Sequence, residues 1–267
     1  MAKPLKSAVI DLLGVWGVFP TDATGKHRIV ELLAKLHPLA TAAPLVRLGP
    51  RGDGGYLVPD DLGGIEACFS PGVGLISGFE KDCADRGLDV YLADASVEHP
   101  GALHERFHFV RKFLGATSGE QFMTLDDWVA GSGVRADSDL MLQIDIEGFE
   151  YEVLLAASDP LMRRFRVIVA EFHWLDQFWN EPFFGLAARV FEKILQTHAC
   201  VHIHPNNSSR LMRKRGLAIP PLAEFTFLRR DRLRGPLRHA TQFPHPLDAD
   251  NTDRPHFALP PCWWAQA

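Results

Sequence analysis

The stretch LMLQIDIEGFEYEVL, residues 140–154, constrains the fold more than any other part of the chain. A strand can bury Leu140, Leu142 and Ile144 at little cost. Asp145 and Glu147 cannot follow them inside alone, because an unpartnered buried carboxylate costs several kcal/mol. The run must therefore surface at Asp145, at the edge of a sheet where negative charge is wanted. Gly148 then turns the chain, and EYEVLLAAS reads as a helix with Val153, Leu154 and Ala157 on one face.

The same alternation extends in both directions. Upstream, EACFS reads as a strand, ISGFEKDCADRG as a helix closed by Gly87, DVYLADAS and RFHFVRKFLG as strands, and TLDDWVAGSG as a short helix. Downstream come the strand RFRVIVAEFH, the amphipathic helix FFGLAARVFEKILQTH, and the strands ACVHIHP and AEFTFLRR. Strands alternating with helices indicate β-α-β units and a mostly parallel sheet, an α/β fold. PLVRLGPRGDGGYLVPDDLGG, residues 44–64, reads as two short strands around a glycine turn. These patterns divide the chain into an N-terminal helical extension (1–43), an α/β domain (44–232) and an irregular Pro- and His-containing tail (233–267), whose end Trp263 and Trp264 pin to the body.

Totals narrow the class. With 46% hydrophobic and 23% charged residues the chain can bury a sizeable core. Net charge is −5, so no global basic field recruits nucleic acid, and the basic runs at 210–215 and 229–238 read as solvated faces. Cys68, Cys83, Cys200 and Cys262 form no C-x-x-C pair, which fits a reducing, cytoplasmic setting without a disulfide framework or zinc ribbon. No apolar run is long enough to span a bilayer. The run at residues 1–19 is broken by Asp11 and reads as a docking helix rather than a signal peptide.

In an open parallel sheet, ligands bind beyond the carboxyl ends of the strands, so the strand ends are the site candidates. The first ends in SPGVG, where Gly72 and Gly74 let backbone approach a ligand. The second ends at Asp94, twenty residues past Gly74, where a carboxylate can accept from ribose hydroxyls. Later strands end at Asp145 and Glu147, at Glu171 and His173, and at His204 with Asn206 and Asn207. A glycine loop with an acid at this distance suits a nicotinamide dinucleotide or S-adenosylmethionine. Gly72-x-Gly74-x-x-x-Gly78 departs from the G-x-G-x-x-G dinucleotide fingerprint, which disfavours the first.

Five blocks in order, RLGPRGDGGYLVP, FSPGVGLISGFEKDCADRG, VYLADAS, LQIDIEGFEYEVL and VHIHPNN, followed by IPPLAEFTFLRR, resemble FkbM-type methyltransferases, in particular their methyltransferase-like branch, over about residues 47–230. The resemblance implies a Rossmann-like class I methyltransferase: a mostly parallel seven-stranded sheet with helices on both faces and an antiparallel last strand, binding S-adenosylmethionine. Carried over, Gly72 and Gly74 hold the methionine part, Asp94 the ribose, and the segment after FHFVRKFLG passes the adenine. Ser70 stands where many such enzymes have an acid, which leaves Glu80 or Asp53 to substitute at the amino-acid end. Asp145 and Glu147 face the methyl group and the acceptor.

The expected reaction is O-methylation of a hydroxyl on a small-molecule or glycan acceptor. A hydroxyl is a poor nucleophile until a base or a metal takes its proton. His173 or His204 could be that base. Alternatively, Asp145, Glu147 and Glu171 could hold Mg²⁺ or Mn²⁺, since an Asp-x-Glu pair on extended backbone faces one way; equally, one carboxylate could orient the acceptor and the other cap the following helix. The aromatics of HWLDQFWNEPFF, residues 173–184, read as a sugar platform, core or a subunit contact. Two rivals stay open: an NAD(P)-dependent oxidoreductase, and a catalytically silent cofactor-binding relative.

Overall fold

The computed structural model describes residues 10, 12–74 and 76–265. In chain order, helix α1 (Lys26–Lys35) precedes strands β1 (Leu45–Leu48), β2 (Tyr56–Pro59) and β3 (Ile65–Pro71), helix α2 (Gly78–Asp85) and strands β4 (Asp89–Ala93), β5 (Phe107–Val110), β6 (Phe113–Leu114) and β7 (Phe122–Met123). Helix α3 (Leu125–Gly131), β8 (Asp139–Ile144), helices α4 (Glu150–Ala156) and α5 (Asp159–Met162), β9 (Phe165–Phe172) and the long α6 (Glu181–Thr197) follow. The chain then adds β10 (His198–Pro205), β11 (Met212–Lys214), β12 (Leu217–Ile219) and β13 (Ala223–Arg229).

Seven strands form one sheet in the order β10-β13-β9-β8-β3-β4-β5. The five from β9 to β5 are parallel, and β13 runs antiparallel between β9 and β10. Their composition suits the central place of β8 and β9: buried along their length, they are nearly continuous apolar runs. Alternate residues feed two cores. Leu140, Leu142 and Ile144 pack with Tyr151 and Leu154 of α4 and Phe191 of α6. Met141 and Val167 pack with Phe79 and Cys83 of α2 and with Tyr56 and Val58 of β2.

Elements outside the sheet share these cores. Ile29, Leu32 and Leu33 of α1 join the α6 side, and so does Trp263 of the tail, whose indole N–H donates to Ala218 O at 3.1 Å. Among the described residues the tail has no long strand or helix, and Trp263 anchors it. The expected docking helix falls on residues 1–19, of which 1–9 and 11 lie outside the described residues; Val15, Trp16 and Phe19 are exposed.

One local expectation changes. RFHFVRKFLG forms two short strands instead of one, because β5 pairs with β4 at the sheet edge and the chain then leaves to pair β6 with β7. The basic run at 210–215 enters the β11–β12 hairpin with Arg210, Arg213, Lys214 and Arg215 exposed, and Lys214 and Arg215 lie over the Trp179 ring. Phe178, Trp179 and Phe184 are core; of that aromatic segment, Trp174 remains half exposed.

Candidate active site

Gly72 joins three strand exits. It leaves β3 with φ +88°, its N–H donates to Ala93 O at the end of β4 (3.1 Å), and a Cβ added to it would lie 1.6 Å from the Asp145 carbonyl oxygen. Only glycine permits so close a crossing. The glycine turn, Asp94 and Asp145 therefore sit on one rim of the sheet. They line a single cleft of about 510 Å³ together with Gly74, Ser96, Phe113, Leu114, Phe122, Glu147 and Phe149. Asp94 is held in place: its Oδ1 accepts from Ser96 N (2.7 Å) and Ser96 Oγ (2.6 Å), a local turn that presents the carboxylate to the cleft.

Beyond β8 the loop bends back on itself. Glu147 adopts φ 57°, Gly148 φ 103°, and a Cβ at 148 would strike the Trp174 ring at 2.3 Å. A left-handed non-glycine residue is uncommon and is held by its surroundings. Here the first residue of α4 does the holding: Glu150 Oε1 accepts from Ile146 N (2.9 Å) and Gly148 N (3.1 Å). Glu150 is fully buried, and its Oε2 has no hydrogen-bond partner.

His173, directly after β9, lies against this loop. Its Nδ1 is 3.2 Å from Glu150 Oε1, and its Nε2 is 3.4 Å from Glu147 Oε2 and 4.0 Å from Asp145 Oδ1. Tyr151 Oη donates to the His173 carbonyl at 2.6 Å, which fixes the backbone. Burial pulls the imidazole pKa down, but Glu150, Asp145 and Glu147 together outweigh it and hold His173 above its ordinary value. Burial pushes Asp145 up to about 7, with His173 opposing and Glu150 and Glu147 adding to the rise. A carboxyl group with that pKa can exchange a proton near neutrality.

The acidic row continues along the rim. Glu171 on β9 is raised well above the carboxylate range by burial and by Asp145 and Glu224, and it accepts from Asn206 Nδ2 at 2.9 Å. Glu224 pairs in register with Glu171 on one side and His204 on the other. The tail closes this end: Asp248 accepts from His202 Nε2 (2.8 Å) and lies 3.7 Å from His204 Nδ1, and Asn251 donates to Glu224 (2.7 Å).

Residues 70–202, about half of the chain, match the family model for the methyltransferase FkbM domain. The chain belongs to the FkbM-type methyltransferases. The matched segment runs from Ser70, near the end of β3, into β10 and so contains every residue that lines the cleft. No curated protein matches the chain.

Within this FkbM-type methyltransferase, Gly72, Gly74, Asp94, Asp145 and Glu147 all line the cleft. His173 stands behind Asp145 and Glu147 and is nearly buried. Ser70 lies beneath the rim, its hydroxyl 2.7 Å from Glu80 Oε1 and 2.6 Å from Gln143 Oε1, and neither Ser70 nor Glu80 reaches the cleft wall. His204 is two strands beyond β9, engaged with the tail and away from the cleft lining. Sequence reasoning missed Glu150, because an acid in the first turn of a helix is ordinary there and only its complete burial sets it apart. It also missed Asp248 and Asn251, whose polar side chains in an irregular tail carry no spacing signal.

Proposed function

We propose that the chain transfers a methyl group from S-adenosylmethionine to a hydroxyl of a sugar or sugar-containing metabolite. One observation carries this reading: the glycine turn, Asp94 and Asp145 line the same cleft. The residues suit such a donor. Gly72 leaves no room for a side chain against Asp145, so backbone can close on a ligand. Asp94 has Oδ1 fixed by Ser96, and Oδ2 can accept from a ribose hydroxyl. Phe113 and Phe122, ring centroids 5.7 Å apart, offer an apolar wall for a base. The acidic rim favours a sulfonium cation.

Bound S-adenosylmethionine supplies an activated methyl group; this chain's residues must position the acceptor and handle its proton. Asp145 reaches into the cleft with a pKa near neutrality and can take the proton from an acceptor hydroxyl. His173 stabilises the carboxylate form of Asp145, and Glu147, at the exposed mouth, accepts from further hydroxyls of a polyhydroxylated acceptor.

Ligand-dependent melting tests the donor. S-adenosylhomocysteine at about 100 times its Kd should stabilise the fold by about 2.7 kcal/mol and raise Tm, whereas NAD and NADP should leave Tm unchanged. A rise with NAD alone would turn the reading to an oxidoreductase, and no rise with S-adenosylhomocysteine would remove its basis.

A further inference from the structure

We propose that Asp145, Glu150 and His173 form a binding site for one divalent first-row transition cation, for which Mn²⁺ is the probe of choice. Each residue offers one donor atom, and the three atoms lie within 4.8 Å of one another. His173 Nδ1 and Glu150 Oε1 are 3.2 Å apart, near the edge of a coordination polyhedron with bonds of about 2.1 Å.

Burial provides the independent observation. Glu150 is 0% and His173 6% exposed, and among the described residues Glu150 Oε2 and His173 Nδ1 have no hydrogen-bond partner. Buried polar atoms in native proteins are satisfied with few exceptions, and an unsatisfied carboxylate oxygen is among the most costly. No ion pair among the described residues links a Lys or Arg to Asp145, Glu147 or Glu150, so the imidazole is the sole counter-charge within reach. A cation would neutralise the cluster and give the buried Glu150 carboxylate and His173 imidazole a partner.

The donor set selects the kind of metal. Two carboxylates and an imidazole are poorer for Ca²⁺ or Mg²⁺, which prefer oxygen throughout, and suit Mn²⁺, Fe²⁺, Co²⁺ or Zn²⁺. Three protein donors leave positions open, and Asp145 belongs both to the cluster and to the cleft lining. If the methyl-transfer reading holds, an acceptor hydroxyl would occupy an open position and lose its proton more readily there; the binding claim itself does not depend on that reading.

Chelator-stripped full-length protein, dialysed and titrated with Mn²⁺ while free Mn²⁺ is followed by electron paramagnetic resonance, should take up one ion per chain. Glu150→Gln, which keeps an oxygen for the Ile146 and Gly148 amides, and His173→Ala should each weaken uptake about tenfold or more. Asp94→Asn should bind Mn²⁺ as the unaltered chain does. No stoichiometric uptake by the unaltered chain, or uptake undiminished in Glu150→Gln, overturns the site whether or not His173→Ala folds. The S-adenosylhomocysteine melting shift is recorded on the same samples: Mn²⁺ uptake without that shift leaves the metal site standing and refutes the functional reading alone.

Discussion

Strand β8 carries an aspartate at each end, and the two have opposite fates. Asp139, at its start, is bonded by Arg166 (Nε to Oδ2, 2.8 Å) and Arg229 (Nη1 to Oδ1, 2.6 Å). Burial works against its charge, but the two guanidiniums prevail and hold the carboxyl below its usual range. Asp145, just past the other end, meets Glu147, Glu150 and one imidazole, and rises to about 7. Nearby at the amino edge, Asp61 and Arg232 pair twice, at 2.6 and 2.7 Å. The carboxyl edge instead gathers Asp145, Glu171 and Glu224, all held above the ordinary range by burial. One end of the sheet pairs its carboxylates with guanidiniums, and the other gathers carboxyl groups raised by burial beside the cleft.

The contrast makes opposed substitutions informative. Asp145→Asn should lower turnover on hydroxylated acceptors by about a hundredfold or more, the scale of losing an acid–base group, while the S-adenosylhomocysteine melting shift persists. Asp139→Asn should leave turnover per folded molecule intact and cost about 3 kcal/mol, since it removes the carboxylate that accepts charge-assisted bonds from both Arg166 and Arg229, of which Arg229 keeps Asp231; urea denaturation measures it. Equal loss of turnover in both variants would erase the distinction between the edges.

Gly72→Ala tests the joint between the glycine turn and β8. The new Cβ would have to displace the Asp145 carbonyl, so on the order of 3 kcal/mol of stability should go, along with S-adenosylhomocysteine binding. A pH series sharpens the comparison further. Asp145 has a folded pKa raised above its unfolded value, so the folded state binds more protons between the ordinary carboxylate range and about pH 7. Its contribution therefore favours folding at low pH and is lost as pH rises through about 7. In chelator, Asp145→Asn should flatten the fall of Tm over that window and melt higher than the unaltered chain at pH 8. The smallest effect belongs to Arg232→Ala: its pair with Asp61 is part-exposed, so about 1 kcal/mol should be lost and turnover kept.

How far the sequence announced this arrangement differs by element. The exit of β8 was legible because a strand covered on both faces must be apolar until it surfaces, and Asp145 marks that point. Gly72 and Asp94 were legible for the same reason, as polar or permissive residues closing apolar runs. Strand order was not encoded in any local pattern: β13 inserts between β9 and β10, carrying His204 to the sheet border where Asp248 of the tail meets it. Glu150 was invisible because its burial depends on the 146–148 loop folding under Trp174, a contact between distant segments. Ser70 ends an inward-facing stretch, and alternation alone could not tell that its hydroxyl turns to Glu80 and Gln143.

A structure of the chain with S-adenosylhomocysteine tests the central claim most directly. The expected complex has ribose hydroxyls on Asp94, backbone of Gly72 and Gly74 along the amino-acid portion, and the sulfur facing Asp145. A ligand seated elsewhere, or one touching Asp94 with Asp145 turned away from the sulfur, would contradict it.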